Sequence, residues 1–164
     1  MEPAKFRQTM AQFVTGVTVV TAGRIDDAGG AHGMTCNSFS SISSHDATIS
    51  VCLSRNTRTE RLIAATGVFA VNVLGADQQH IADRFAGRHK DYDQRRFEGI
   101  ACTVGDAHGT PLIEGAKARL QCEVDQRVEF GDHTLFIARV VGAAVTDSSP
   151  PLVFYHSGYH SLST

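Results

Sequence analysis

The chain opens with apolar residues at helical spacing. Phe6, Met10, Phe13 and Val14 share one face, which predicts an amphipathic helix over about Pro3–Phe13, ended by Thr15-Gly16. The pattern then becomes extended. Val17–Ala22 is apolar and β-branched, a strand composition. Asp26-Asp27-Ala28-Gly29-Gly30 reads as a turn, and His32–Asn37 as the returning partner strand. Thr48–Leu53 is apolar on both faces and predicts a central strand. Thr57-Arg58-Thr59-Glu60 has the spacing of a capping box that opens a helix to about Ala65. Val68–Leu74 is a further strand, Asp77–Phe85 a second capped helix, and the charged stretch Gly87–Gly99 a surface loop.

The second half is strand-rich. Ala118, Leu120, Cys122 and Val124 alternate with Arg119, Gln121, Glu123 and Asp125, the signature of one buried and one wet face. Gly131-Asp132 turns the chain into Thr134–Val141, and Pro151–Tyr155 adds a short last strand. Six or more strands joined mostly by short turns, with a few helices and no βαβ alternation, predict a mainly β fold. A closed or partly closed antiparallel barrel fits that pattern.

Composition narrows the class. A chain of 164 residues, 42% hydrophobic and 20% charged, predicts a single domain over residues 1–164. Its net charge of −2 argues against non-specific nucleic-acid binding, which needs a clustered basic excess. No run approaches the ~18–20 apolar residues that span a bilayer, so no membrane association is expected. The N-terminal stretch has no unbroken apolar segment of the kind an export signal carries. The four cysteines, Cys36, Cys52, Cys102 and Cys122, are scattered and read as reduced thiols of a cytoplasmic protein.

Three stretches carry candidate chemistry. In His32–Ser44, seven of thirteen residues are Ser, Thr or Asn. Hydroxyls and backbone N–H groups there suit a polar heteroaromatic edge, a ribityl chain or a phosphate; local side-chain-to-backbone bonding is the alternative. Ser54-Arg55-Asn56-Thr57-Arg58-Thr59 runs from a strand into a helix N-terminus and reads either as an anion site or as ordinary capping with solvated arginines. Gly131-Asp132-His133-Thr134 places His133 at a strand mouth beside an acid that could orient its ring, or as simple turn punctuation.

Other motifs fail. Gly29-Gly30-Ala31-His32-Gly33 is not a dinucleotide fingerprint and lies on a hairpin. No Walker loop or nucleophile elbow is present. His156 and His160, and His32 and Cys36, stand four apart without a further ligand pair, so no metal is expected. Cys36 has no basic neighbour in sequence and reads as a buried or lining thiol.

Taken together, the motifs resemble the flavin-reductase domain of two-component monooxygenases. Phe6-Arg7 through Phe13-Val14-Thr15-Gly16-Val17-Thr18-Val19-Val20-Thr21 resembles that family's opening. His32–Ser43 resembles its central flavin-contact motif. Phe69–Leu74, Phe85-Ala86, Gly131-Asp132-His133-Thr134-Leu135, and the closing Pro151–Tyr155 with Gly158-Tyr159 follow in the family's order, over about Phe6 to Leu162. Within the family, Asp132–Val140 and Tyr159-His160 are similar to the reductase component of styrene and indole monooxygenases. Two departures stand out: His45-Asp46-Ala47 replaces a common proline pair, and Cys36 occupies a position where small or other residues are found.

The resemblance implies a split β-barrel of antiparallel Greek-key type, usually a homodimer with flavin near the subunit interface. It implies NADH-dependent reduction of FAD or FMN, with FAD favoured and NADPH open, and release of reduced flavin to a partner flavin-dependent monooxygenase acting on a small aromatic such as styrene or indole. It places Met34, Thr35, Cys36, Asn37 and Ser38, with Ser40 and Ser41 of the same motif, along the isoalloxazine edge. Ser54, Arg55, Asn56, Thr57 and Thr59 face the phosphate or ribityl end. Phe85, Ala86 and Arg88 close the flavin site, and His133 and Tyr159 lie on the nicotinamide side, with His133 positioning the ring and not moving a proton. The rival classes are a non-catalytic flavin-binding sensor or carrier on the same barrel, and a split-barrel oxidase of a vitamin phosphate.

Overall fold

In the computed structural model, which describes residues 1–25, 30–88, 95–146 and 149–162, the β-branched segment Thr18–Ala22 is strand β2, buried along its whole length. It pairs antiparallel with β3 (His32–Cys36) on one side and β6 (Val68–Val73) on the other. The sheet continues from β6 through β9 (Ala118–Phe130), β10 (His133–Val145) and β5 (Thr48–Ser54) to β4 (Ser40–Ser43). Its order is β3-β2-β6-β9-β10-β5-β4, antiparallel throughout.

The ladder does not close. β3 and β4 are its edges, and the gap is bridged by a side chain. β4 starts at Ser40, the partner of Ser50, so the backbone groups of Cys52 lie beyond its reach. The Ser38 hydroxyl takes their place: it donates to the Cys52 carbonyl at 2.7 Å and accepts from the Cys52 N–H at 3.1 Å. This is a split barrel, partly closed as the strand count predicts.

Two cores lie on the two faces of β2 and β6. Val20, Val51, Leu53, Phe69, Val71 and Phe136 fill the barrel interior, and Ile63 of α2 (Arg58–Thr66) joins them. Val17, Val19, Leu74, Ile81, Phe85, Ile113 and Leu152 form the second core outside it. A strand covered on both faces loses its alternation, which accounts for the unbroken apolar run of β2. Buried Asn72 joins the layers. Its amide donates to the Val19 carbonyl at 3.1 Å and the Thr21 hydroxyl at 3.3 Å, and its oxygen accepts from the Ile113 N–H at 2.8 Å.

Several expectations need correction. The first helix, α1 (Pro3–Met10), ends before Phe13 and buries none of its residues, so its apolar face has no core to extend along. Thr15–Gly16 does not end the helix, which stops at Met10; it is a short strand, β1, paired with β11 (Leu152–Tyr155). Asp77 does not cap a helix. It lies in a 3₁₀ turn, Ala76–Gln78, and α3 (Gln79–Phe85) follows. The capping box at Thr57 is half formed: Thr57 accepts from the Glu60 N–H, whereas the Glu60 carboxylate receives the Asn56 N–H and the Thr134 hydroxyl.

β7 (Cys102–Val104), β8 (Pro111–Ile113) and β12 (Gly158–Ser161) are too short to show a period in sequence. The β11–β12 turn, His156-Ser157, has positive φ at both residues without a glycine, which is why it carries no turn signature. The expected turn at Asp26–Gly30 falls largely on residues 26–29, and the loop at Gly87–Gly99 largely on residues 89–94, which lie outside the described residues.

Candidate active site

The end of β3, the end of β5 and the start of β10 meet at one mouth of the barrel. An open groove of about 630 Å³ lies there, lined by Met34, Thr35, Cys36, Asn37, Ser38, Cys52, Leu53, Ser54 and His133. Phe6 and Met10 of α1 complete its wall. A smaller lobe of about 180 Å³ adjoins it through Thr35 and Asn37, which line both, and is otherwise formed by Val17, Ala86, Arg88, Phe154 and Tyr159.

Strand geometry sets which groups face the groove. Ile49, Val51 and Leu53 of β5 point into the core, so Cys52 and Ser54 take the opposite face. On β3, Gly33 lets the Phe85 ring approach the strand closely: a Cβ there would lie 2.7 Å from a ring carbon. Thr35 donates its hydroxyl to the Ala82 carbonyl of α3 at 2.6 Å, which fixes β3 against the helix and leaves the hydroxyl's lone pairs to the groove. Asn37 is exposed at the junction of the lobes, and no described residue hydrogen-bonds its carboxamide. A carboxamide offers both a donor and an acceptor, which suits the alternating edge of a pyrimidine-type ring.

His133 and Ser54 are register partners across β10 and β5. The His133 Nε2 lies 3.3 Å from the Ser54 Oγ, and Nδ1 lies 2.8 Å from the Asp132 carboxylate. That hydrogen bond, from the ring to the carboxylate, holds the Asp132 carboxyl below its ordinary range. In the small lobe, Arg88 pairs with Asp83 at 2.8 Å and sits 5.2 Å from the centroid of the Tyr159 ring, which packs edge-on to Phe154. Burial raises the Tyr159 hydroxyl above its ordinary value. Burial also raises the Cys36 thiol, with hydrogen bonds from Ser38 opposing it, and the thiol sits 2.9 Å from the Ser38 hydroxyl. A thiol in that state is protonated at neutral pH and lines the groove without acting as a nucleophile.

Among the residues singled out in sequence, the two lobes bring together Met34, Thr35, Cys36, Asn37, Ser38, Ser54, Ala86, Arg88, His133 and Tyr159. His133 and Tyr159 fall in different lobes. Others have structural partners. Phe85 is wholly buried and packs edge-on to Phe97. Thr59 is wholly buried against the His32 ring at 2.7 Å. Thr57 caps α2, and the Asn56 N–H reaches Glu60. The Arg55 guanidinium pairs with Glu129 at 2.7 Å and its backbone N–H donates to the Asp132 carbonyl, tying this loop to the β9–β10 hairpin. Ser40 and Ser41 belong to the edge strand β4. Sequence reasoning did not single out Phe6, Met10, Cys52, Leu53, Val17 or Phe154 as groove residues. The exposed apolar face of α1 was the one available signal.

The sequence model of the flavin reductase like domain matches residues 10–163. The chain is 34% identical over 160 residues to an NADH-dependent flavin reductase of a Rhodococcus species, covering 98% of this chain and 86% of that protein. It is 38% identical over 157 residues to the NADH-dependent flavin reductase StyB of Pseudomonas fluorescens, covering 94% and 87%. The solved structure of the styrene monooxygenase flavin reductase (SMOB) from Pseudomonas putida S12 superposes with a TM-score of 0.84 at 38% identity, covering 98% of each chain.

Proposed function

This chain belongs to the flavin reductase-like domain family, and from that premise we propose that it is an NADH-dependent flavin reductase that supplies reduced FAD or FMN to a partner monooxygenase. The observation that carries the reading is the two-lobed groove, lined by neutral donors and acceptors from β3 and β5 and, among the described residues, by one permanent cation, Arg88. The donor set fits a flavin. Met34–Ser38 would hold the ring, with Asn37 offered to its polar edge, and Arg88 would take the negative charge of a phosphate. When bound, the flavin supplies the electron-accepting ring, and NADH delivers a hydride to it with its proton balance met by solvent.

The chain's own residues bind and orient. Thr35 and Asn37 hold the junction of the lobes. His133, fixed by Asp132 and Ser54, positions the second ring against the first; the two reacting atoms must come within roughly 3–3.5 Å. No residue here needs to carry a proton in the chemical step. Phe6, Met10, Phe13 and Val14 leave an apolar strip exposed beside the groove, which supports a homodimer in which a second copy covers it. The 38% identity to the styrene monooxygenase flavin reductase supports a partner that oxidises a small aromatic such as styrene; FAD as the flavin and a single cytoplasmic domain over residues 1–164 belong to the same proposal. None of the described helices is long and apolar enough to cross a membrane.

The test is a matrix of FAD, FMN and riboflavin against NADH and NADPH, followed by nucleotide oxidation and by cytochrome c reduction. NADH oxidation that requires added flavin is the expected result. A folded sample that binds flavin yet oxidises neither nucleotide would instead fit a sensor or carrier.

A further inference from the structure

Ser54, His133 and Asp132 form a hydrogen-bonded row on the groove wall, with spacings of 3.3 Å and 2.8 Å. The backbone sets the row. Ser54 and His133 are partners in the β5–β10 ladder, and the Arg55 N–H donates to the Asp132 carbonyl at 2.9 Å, so the turn cannot swing away from the end of β5. We infer that Ser54 is a specificity-determining residue that accepts an N–H from the edge of the bound ring, with His133 and Asp132 as positioning residues that fix the direction of its hydroxyl.

The positions of the protons along the row set this direction. Asp132 is an ionised, acceptor-only group, so the ring proton at Nδ1 is directed to it. With the ring neutral, Nε2 then has only a lone pair, and which nitrogen carries the proton is set by the bond the other makes. The donor that faces this lone pair is the Ser54 hydroxyl. Its single hydrogen is thereby committed, and what Ser54 shows to the groove is oxygen lone pairs. Without Asp132 the ring is free to take the other tautomer, Nε2–H would donate to Ser54, and the serine would present a hydrogen in place of a lone pair.

The groove wall at Ser54 therefore selects a donor and disfavours a carbonyl or ether oxygen. The identity of the ligand rests on the reductase reading, in which both rings carry such a donor: the nicotinamide carboxamide N–H₂ and the flavin imide N–H. The shared chemistry is an amide-type N–H on a planar ring.

Two measurements test it. Long-range ¹H–¹⁵N spectra of the full chain in mildly alkaline buffer, with the His133 signals assigned by their loss in His133→Gln, report the tautomer without any ligand. The Nδ1–H tautomer is expected in the parent and Nε2–H in Asp132→Ala; Nε2–H in the parent would overturn the row.

The second measurement compares NADH with its 3-acetylpyridine analogue, in which a methyl ketone replaces the carboxamide, and flavin with N3-methyl flavin. Ser54→Ala is expected to collapse one of these kcat/KM preferences by about tenfold, the scale of one net hydrogen bond, and Ser54→Thr to retain it. Collapse of the nicotinamide preference assigns the carboxamide, and collapse of the flavin preference assigns the imide. If both preferences survive in Ser54→Ala while NADH is still oxidised, Ser54 is not the acceptor. If the parent oxidises no NADH with any flavin, the reductase reading and the ligand assignment both fall, and the tautomer result stands or falls separately.

Discussion

Replacing Gly33 with alanine tests how the fold builds the groove floor. The new Cβ would sit 2.7 and 2.8 Å from two carbons of the Phe85 ring and 3.2 Å from the Val20 carbonyl. Carbon atoms pack comfortably at about 3.5–4.0 Å, so the ring must retreat by most of an ångström. It has little room. Phe85 is wholly buried, Phe97 packs edge-on with centroids 5.1 Å apart, and the Arg96 guanidinium holds both the Gly33 and Phe85 carbonyls at 2.9 Å. Overpacking of this kind costs about 2–3 kcal/mol. Alanine returns about 0.4–1 kcal/mol by restricting the unfolded chain. The net loss is about 1–2.5 kcal/mol, a fall in Tm of roughly 2–10 °C for a chain this size. Urea and thermal unfolding measure it. The same substitution in a Phe85→Leu background meets a smaller, more flexible side chain, so its cost there should vanish or change sign. An equal cost in both backgrounds would refute the steric argument. Flavin affinity should fall with stability in the single variant, because β3 carries Met34, Thr35 and Cys36 into the groove.

Other outcomes follow from the same contacts. Asn72→Ala strips partners from the Ile113 N–H and the Val19 carbonyl and should cost about 2–4 kcal/mol in urea unfolding. Arg88→Ala should weaken FMN relative to riboflavin several-fold, measured by fluorescence titration, since Arg88 is the cation among the described residues that line the groove. Arg55→Ala should leave that ratio unchanged and cost under about 1 kcal/mol of stability, because its half-exposed partner is Glu129. Burial pushes the Cys122 thiol up to about 12. The folded state therefore keeps a proton that the unfolded chain sheds above about pH 8.5, so stability present below that pH is lost as pH rises toward the folded value, at about 1.4 kcal/mol per pH unit. In Cys122→Ala the alkaline limb of the unfolding free energy should flatten; an unchanged slope would show that the thiol does not couple to folding.

The long strands were legible because each carries either a period-two alternation or an unbroken apolar run. The alternation of Ala118–Asp125 and the apolar runs of Val17–Ala22 and Thr48–Leu53 each appear as β9, β2 and β5. Three-residue strands such as β7 and β8 hold less than two periods of information and stay hidden. The helix α1 shows why a correct pattern can mislead about extent. Phe13 fits the helical face, but with no core beneath it the helix stops at Met10. At the site, local sequence located the strand ends that meet at the barrel mouth, since Asn37, Ser54 and His133 each stand beside a strand terminus. Which polar groups a neighbouring element consumes is a tertiary property. Thr59 is directed to His32 and Arg55 to Glu129 by contacts that local sequence does not encode.

That consumption bears on how tightly a flavin is held. The hydroxyl of Ser38 serves the seam at Cys52, that of Thr35 donates to α3, that of Thr57 caps α2 and donates to the Ser54 carbonyl, and that of Ser54 faces His133. A stretch rich in hydroxyls thus offers the groove fewer free donors than its composition suggests: chiefly the Asn37 carboxamide, exposed backbone and the Arg88 cation, itself half-neutralised by Asp83. Each net hydrogen bond to a neutral group contributes only about 0.5–1.5 kcal/mol. A handful of them with one screened ion pair corresponds to micromolar affinity more readily than to permanent capture. The groove is also open, and no described element encloses an adenosine as a dinucleotide fold would. A reductase that hands its product to a separate oxygenase requires such a balance, because a ring bound tightly enough to be retained would be reoxidised where it sits. The seam that holds the barrel together and the looseness of its ligand are, on this view, one arrangement of the same hydroxyls.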